Sequence, residues 1–98
     1  MNASSIVVDG MLSGTGIRDA VAGGYFKPAE LNLSAGLTTR IARWLQRYEN
    51  AHYFQFQDDT ENAALDTEGI AIARALRCEL PGVRVEYFSN AQMKPLTA

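Results

Sequence analysis

The sequence has one cysteine, one histidine, three prolines and no long apolar run. Each scarcity excludes something. With Cys78 alone no intramolecular disulfide can form, and a secreted domain this small without covalent staples would be unusual, so a cytoplasmic protein is expected. No segment approaches the roughly 18 apolar residues of a membrane span, and the first residues lack both the basic and the apolar regions of a signal peptide. Neither export nor membrane insertion is expected. A zinc site draws four ligands mostly from His and Cys, which one residue of each cannot supply. The single imidazole, His52, is separated from Cys78 by a whole predicted helix, so nucleophilic catalysis has no evident pair, and Cys78 reads as a small apolar filler. At 98 residues a separate cofactor-binding module does not fit. No cofactor and no metal are expected.

What is present is globular in balance, with 47% hydrophobic and 20% charged residues. One domain over residues 1 to 98 is expected, with a polar, flexible tail from about residue 89. Residues 5 to 9 read as a β-strand with Ile6 and Val8 on one face, ended by Gly10. Five glycines between Gly10 and Gly24 frame a second short strand near Ile17 to Val21. From Ser34, a helix N-cap, the apolar residues Leu37, Ile41, Trp44, Leu45 and Tyr48 fall on one helical face that extends to about His52. Arg40, Arg43 and Arg47 form a basic stripe on that helix, read as solvated rather than phosphate-binding.

A second helix from about Thr60 to Leu80 places Leu65, Gly69, Ile72, Ala73, Leu76 and Leu80 on its buried side. Glycine inside a helix costs about 1 kcal/mol against alanine, so Gly69 implies close approach by another backbone or a large ring such as Trp44. Between the helices, Phe54 and Phe56 alternate with glutamines, as a short strand or as a loop tucking both rings under the helix pair. Val83 to Phe88 alternates as a final strand with Val83, Val85 and Tyr87 inward. The order β-β-α-α-β gives a two-layer α/β domain, a small sheet covered on one face by two antiparallel helices. The last strand is expected to lie parallel to the first.

The charge of −2 conceals an asymmetry. Six carboxylates and no Lys or Arg lie between Tyr48 and Ala73: Glu49, Asp58, Asp59, Glu61, Asp66 and Glu68. Acids in the first turn of a helix are favoured by its unpaired amides, which accounts for Asp58, Asp59 and Glu61 but less well for Asp66 and Glu68. The stretch from Asp58 opens like a calcium loop and then fails, with Ala63 where the turn needs Gly and Gly69 where the bidentate Glu belongs. Gly14 and Gly16 begin a dinucleotide turn without its third small residue or the following helix. Direct nucleic-acid binding through the arginines conflicts with the acidic isoelectric point near 5.2. A binding module with an acidic, aromatic-flanked surface remains, with Asp58, Asp59, Glu61, Asp66, Glu68, Tyr53, Phe54 and Phe56 as its partner-binding candidates. The rival reading is a small enzyme or ligand-binding domain using the carboxylates from Asp58 to Glu68, or a regulatory interaction module.

Two stretches carry a resemblance. The first is Gly23-Gly-Tyr-Phe-Lys-Pro28-Ala-Glu-Leu31-Asn-Leu33-Ser34 followed by Leu37, Trp44 and Tyr48. The second is Asp66-Thr-Glu-Gly69 with Ala73, Leu76, Glu79, Leu80, Val83, Val85 and Tyr87. Over about residues 23 to 88 the chain resembles small bacterial immunity proteins of contact-dependent growth inhibition and other polymorphic toxin systems. The resemblance implies a non-enzymatic protein that binds and neutralises a cognate toxin domain in the cytosol. Such toxins are frequently nucleases with a cationic groove, which an acidic patch would attract. The matching residues are scaffold positions, so the resemblance carries no toxin-contact residue across.

Overall fold

In a computed structural model, which describes residues 3–98, β1 (Ser5–Asp9) pairs antiparallel with β2 (Ile17–Asp19). A 3-10 turn (Pro28–Leu31) leads to α1 (Ala35–Tyr53), then α2 (Asp59–Glu79), β3 (Arg84–Ser89) and β4 (Lys94–Leu96). The sheet order is β2-β1-β3-β4, with β1 and β3 parallel and β4 antiparallel on the outer edge. The α/β two-layer fold and the parallel pairing of the first and third strands are therefore as the sequence implies. The polar stretch from Ser89 contributes a strand that the order β-β-α-α-β lacks. Both edge strands are three residues long, and Pro95 on β4 removes a donor from the exposed edge, which blunts it against pairing with another chain.

Each helix begins where a side chain satisfies its first amides. The Ser34 hydroxyl accepts from the Leu37 amide at 3.2 Å, and Asp58 accepts from the Glu61 amide at 3.1 Å. Glu79, at the far end of α2, accepts from the Ser34 amide and hydroxyl at 2.7 and 2.6 Å, which locks the start of one helix to the end of the other. These hydrogen bonds hold the Glu79 carboxyl below its ordinary range.

The core lies between the helix pair and one sheet face. Leu37, Ile41, Trp44 and Tyr48 from α1 and Leu65, Ile72, Ala73 and Leu76 from α2 meet Ile6, Val8, Ile17, Val85 and Tyr87 of the sheet. Trp44 donates through Nε1 to the Leu65 carbonyl at 2.9 Å and stands edge-on to Tyr48, 5.0 Å between centroids. Of the close approaches that Gly69 implied, another backbone or a large ring such as Trp44, it is a large ring that fills the space, that of Tyr87; a Cβ at Gly69 would lie 2.6 Å from Tyr87 Cζ. Cys78 is exposed near the end of α2, so it fills no core space. Val83 precedes β3 and is only half-buried.

On the sheet face away from the helices, Asp9 is buried beside Arg18, whose Nε lies 3.0 Å away, and accepts from the Tyr25 hydroxyl at 3.0 Å. Burial first, then the Asp9 charge, pushes the Tyr25 phenol up to about 12. An unfolded tyrosine ionises near 10, so this contribution to stability is complete below that pH and disappears as pH rises towards 12. Tyr25→Phe is accordingly expected to flatten the loss of stability between pH 10 and 12, read from urea midpoints across that range. Equal slopes for parent and variant would contradict the assignment.

Candidate functional site at the turn between the helices

Helix α1 ends because the chain turns left-handed. Phe54 donates its amide to the Asn50 carbonyl at 3.0 Å and Phe56 to the Ala51 carbonyl at 2.8 Å, while Gln55 and Phe56 take φ of 56° and 55°. Two successive non-glycine residues in this region store strain, which surrounding contacts must hold. Here the Phe56 ring packs edge-on against His52, 4.8 Å between centroids, and against Tyr48 at 6.0 Å. Asn62 donates to the Phe56 carbonyl at 2.7 Å, and His52 donates through Nε2 to the Gly10 carbonyl at 2.8 Å. The segment is a pinned turn and not a strand.

That turn separates the two phenylalanines. Phe56 faces inward, whereas Phe54 is 63% exposed and Tyr53 80% exposed, the two outer rings edge to face at 5.0 Å. Phe54 and Phe56, with Asn50 and Ala51, form one wall of an open groove of about 560 Å³; Asp58, Asp59 and Glu61 at the start of α2 form the other. Five of the eight residues singled out in the sequence thus meet at one place, and Tyr53 packs against one of them, Phe54.

The remaining acids are placed differently. Asp66 is 6% exposed and points into the core, where it accepts from the Tyr87 hydroxyl at 2.6 Å and from Gln92 Nε2 at 2.9 Å. It is removed from any contact surface by the helical turn that also buries Leu65 and Gly69. Burial first, and then the hydrogen bond to Asp66, drives the Tyr87 phenol far above its ordinary value, so it remains a donor. Tyr48, 3.3 Å from the Tyr87 hydroxyl, accepts from the Asn90 amide at 3.1 Å. With its amide oriented to match its neighbours, Asn90 places its side-chain oxygen 3.0 and 3.2 Å from the donating amides of Gly10 and Met11. A polar chain thus joins α2 to both loops beyond β1 and β3.

Glu68 and Glu61 are answered by the basic stripe of α1. Arg40 grips Glu68 through two hydrogen bonds of 2.6 and 2.8 Å, and Arg47 grips Glu61 through two of 3.1 and 2.9 Å. The hydrogen bonds from Arg40 hold the Glu68 carboxyl below its usual range. Two of the three arginines therefore clamp the helices together at an exposed surface, where such pairs contribute up to about 1 kcal/mol each. Asp58 and Asp59 make no ion pair among the described residues, which leaves them as the uncompensated charge of the groove.

Sequence reasoning passed over Met11, Leu12 and Met93, exposed by 45%, 51% and 72%. Their only signal was an apolar residue in a glycine-rich or polar segment. No helix among the described residues is long and apolar enough to cross a membrane, and no cluster of metal-ligating side chains occurs among them. A family model described as Serratia CdiI immunity protein-like matches residues 14–90. No curated protein and no solved structure matches the chain.

Proposed function

Because the chain belongs to the Serratia CdiI immunity protein-like family, we propose that it neutralises one cognate toxin domain, a nuclease, by binding it in the cytosol without catalysis. The groove at the turn between α1 and α2 is the contact surface. The observation that carries this placement is the conjunction of two unpaired carboxylates with two exposed, mutually packed aromatic rings. A nuclease groove is cationic because its substrate is a polyanion. Asp58 and Asp59 attract such a surface at long range, and Tyr53 and Phe54 supply the rigid apolar area on which interface energy concentrates. Glu61 lies on the same wall, with its charge shared with Arg47 through two hydrogen bonds. Asp66 serves the fold from inside.

The test uses the cognate toxin domain, sought in the reading frame next to the one for this chain and expressed alone and with it. Co-expression is expected to restore growth and nucleic-acid integrity, and the purified proteins to form a complex. Asp59→Lys is expected to slow association about three- to tenfold at low salt, a difference that shrinks as salt screens the charge. Arg43→Glu, on an exposed part of α1 away from the groove, is expected to leave the rate nearly unchanged. Equal rates for Asp59→Lys and the parent would reject the acidic steering. A folded parent that does not bind its co-encoded toxin would reject the function itself.

A further inference from the structure

Six large hydrophobic side chains are exposed among the described residues: Met11, Leu12, Val21, Tyr53, Phe54 and Met93. Five of them sit at one end of the molecule. Strands β1 and β3 are parallel and both finish there, with Met11 and Leu12 just beyond β1 and Met93 in the turn between β3 and β4. Helix α1 ends at Tyr53 on the same end, as its hydrogen bond from His52 to the Gly10 carbonyl fixes. Resting on the immunity reading, we infer that the toxin-binding surface is wider than the helix turn: three loops, residues 10–14, 53–58 and 89–93, form one apolar platform that seats a cationic toxin surface bearing an apolar depression.

Two observations support one continuous and rigid platform, and a third the chemistry of its partner. The loops are tied to one another and not merely adjacent: Asn90 accepts from the Gly10 and Met11 amides, His52 holds Gly10, and Asn90 donates its own amide to Tyr48 of α1. Gln92, beside Met93, is fastened to the buried Asp66 and to the Ser89 hydroxyl. Loops held this way lose little freedom on binding, so exposed methionine and leucine become binding energy rather than disorder. The charge around the platform is also of one predominant sign, with Glu49, Asp58, Asp59 and Glu61 against Arg47 and Lys94. An apolar centre with an acidic rim suits a basic protein partner and disfavours a nucleic acid or an anionic membrane.

Leu12→Asp and Met93→Asp place a charge at the platform on loops far from Tyr53 and Phe54 in sequence. Both residues are exposed, so the variants should melt with the parent. Each is expected to weaken binding of the co-encoded toxin domain by about tenfold or more, chiefly through faster dissociation. Val21→Asp, at 72% exposure in the turn after β2, should bind within about twofold of the parent. In the parent complex, amides of residues 10–14 and 89–93 should gain protection from hydrogen exchange and those of residues 20–24 should not. If both platform variants bind like the parent while Phe54→Ala binds weakly, the wider platform is wrong and the immunity reading stands. If the folded parent fails to bind at all, the immunity reading falls and the platform falls with it.

Discussion

Gly69→Leu is expected to destabilise the domain by about 3 kcal/mol, the upper part of the range for overpacking a well-filled core. Even the first added carbon would lie 2.6 Å from Tyr87 Cζ and 2.9 Å from its hydroxyl. The ring cannot retreat cheaply, because its hydroxyl is fastened to Asp66 and neighbours Tyr48, while its body is fully buried between helix and sheet. Gly69→Ala should also destabilise, although alanine gains up to about 1 kcal/mol in helix propensity. Arg43→Ala, on an exposed turn of α1 and without an ion pair among those described, should change stability by less than about 0.5 kcal/mol. Urea melts of the three variants decide the matter. A Gly69→Leu midpoint equal to the parent's would mean that Tyr87 does not occupy the space over α2.

Trp44→Ala is expected to cost about 4 kcal/mol, because it deletes the largest fully buried side chain and leaves a cavity between both helices. It also removes the donor to the Leu65 carbonyl and the edge contact with Tyr48. A domain of this length has a stability on the order of 5 to 10 kcal/mol, so the variant would stand close to unfolding. Trp44→Phe retains most of the apolar volume and should lose roughly half as much. Chemical denaturation measures both. In cells the same loss lowers the folded population, so Trp44→Ala should protect poorly against the toxin at the growth temperature although Trp44 is 1% exposed and lies outside the groove. A Trp44→Ala protein losing less than about 2 kcal/mol would contradict its place as the centre of the core.

Spacing alone identified both helices to within a residue or two, because Leu37, Ile41, Trp44 and Tyr48 can share a buried face only if the chain turns once every 3.6 residues. The same holds for Leu65, Gly69, Ile72 and Leu76. Ser34 was recognisable as a start, since an unpaired first turn needs a short polar acceptor, whereas Asp58 read only as one of three first-turn acids and proves to be the cap of α2. The acidic island and its aromatic flank were also visible, and most of their members do converge on one groove.

What the sequence could not reveal was which member of a charged or aromatic set faces which way. Asp66 and Glu68 are two residues apart, about 200° around a helix, so one enters the core and the other meets Arg40, but only the packed partner helix and sheet decide which. Phe54 and Phe56 were equivalent in a linear alternation until two left-handed residues sent one ring outward. β4 has almost no apolar pattern of its own and exists because β3 offers an unpaired edge. Local periodicity thus determined the elements, their caps and the layered α/β class. The pairing of the arginine stripe with Glu61 and Glu68, the burial of Asp66 and the gathering of three loops at one end arise from contacts between residues distant in the chain. Those contacts form only when the helices and sheet close on one core.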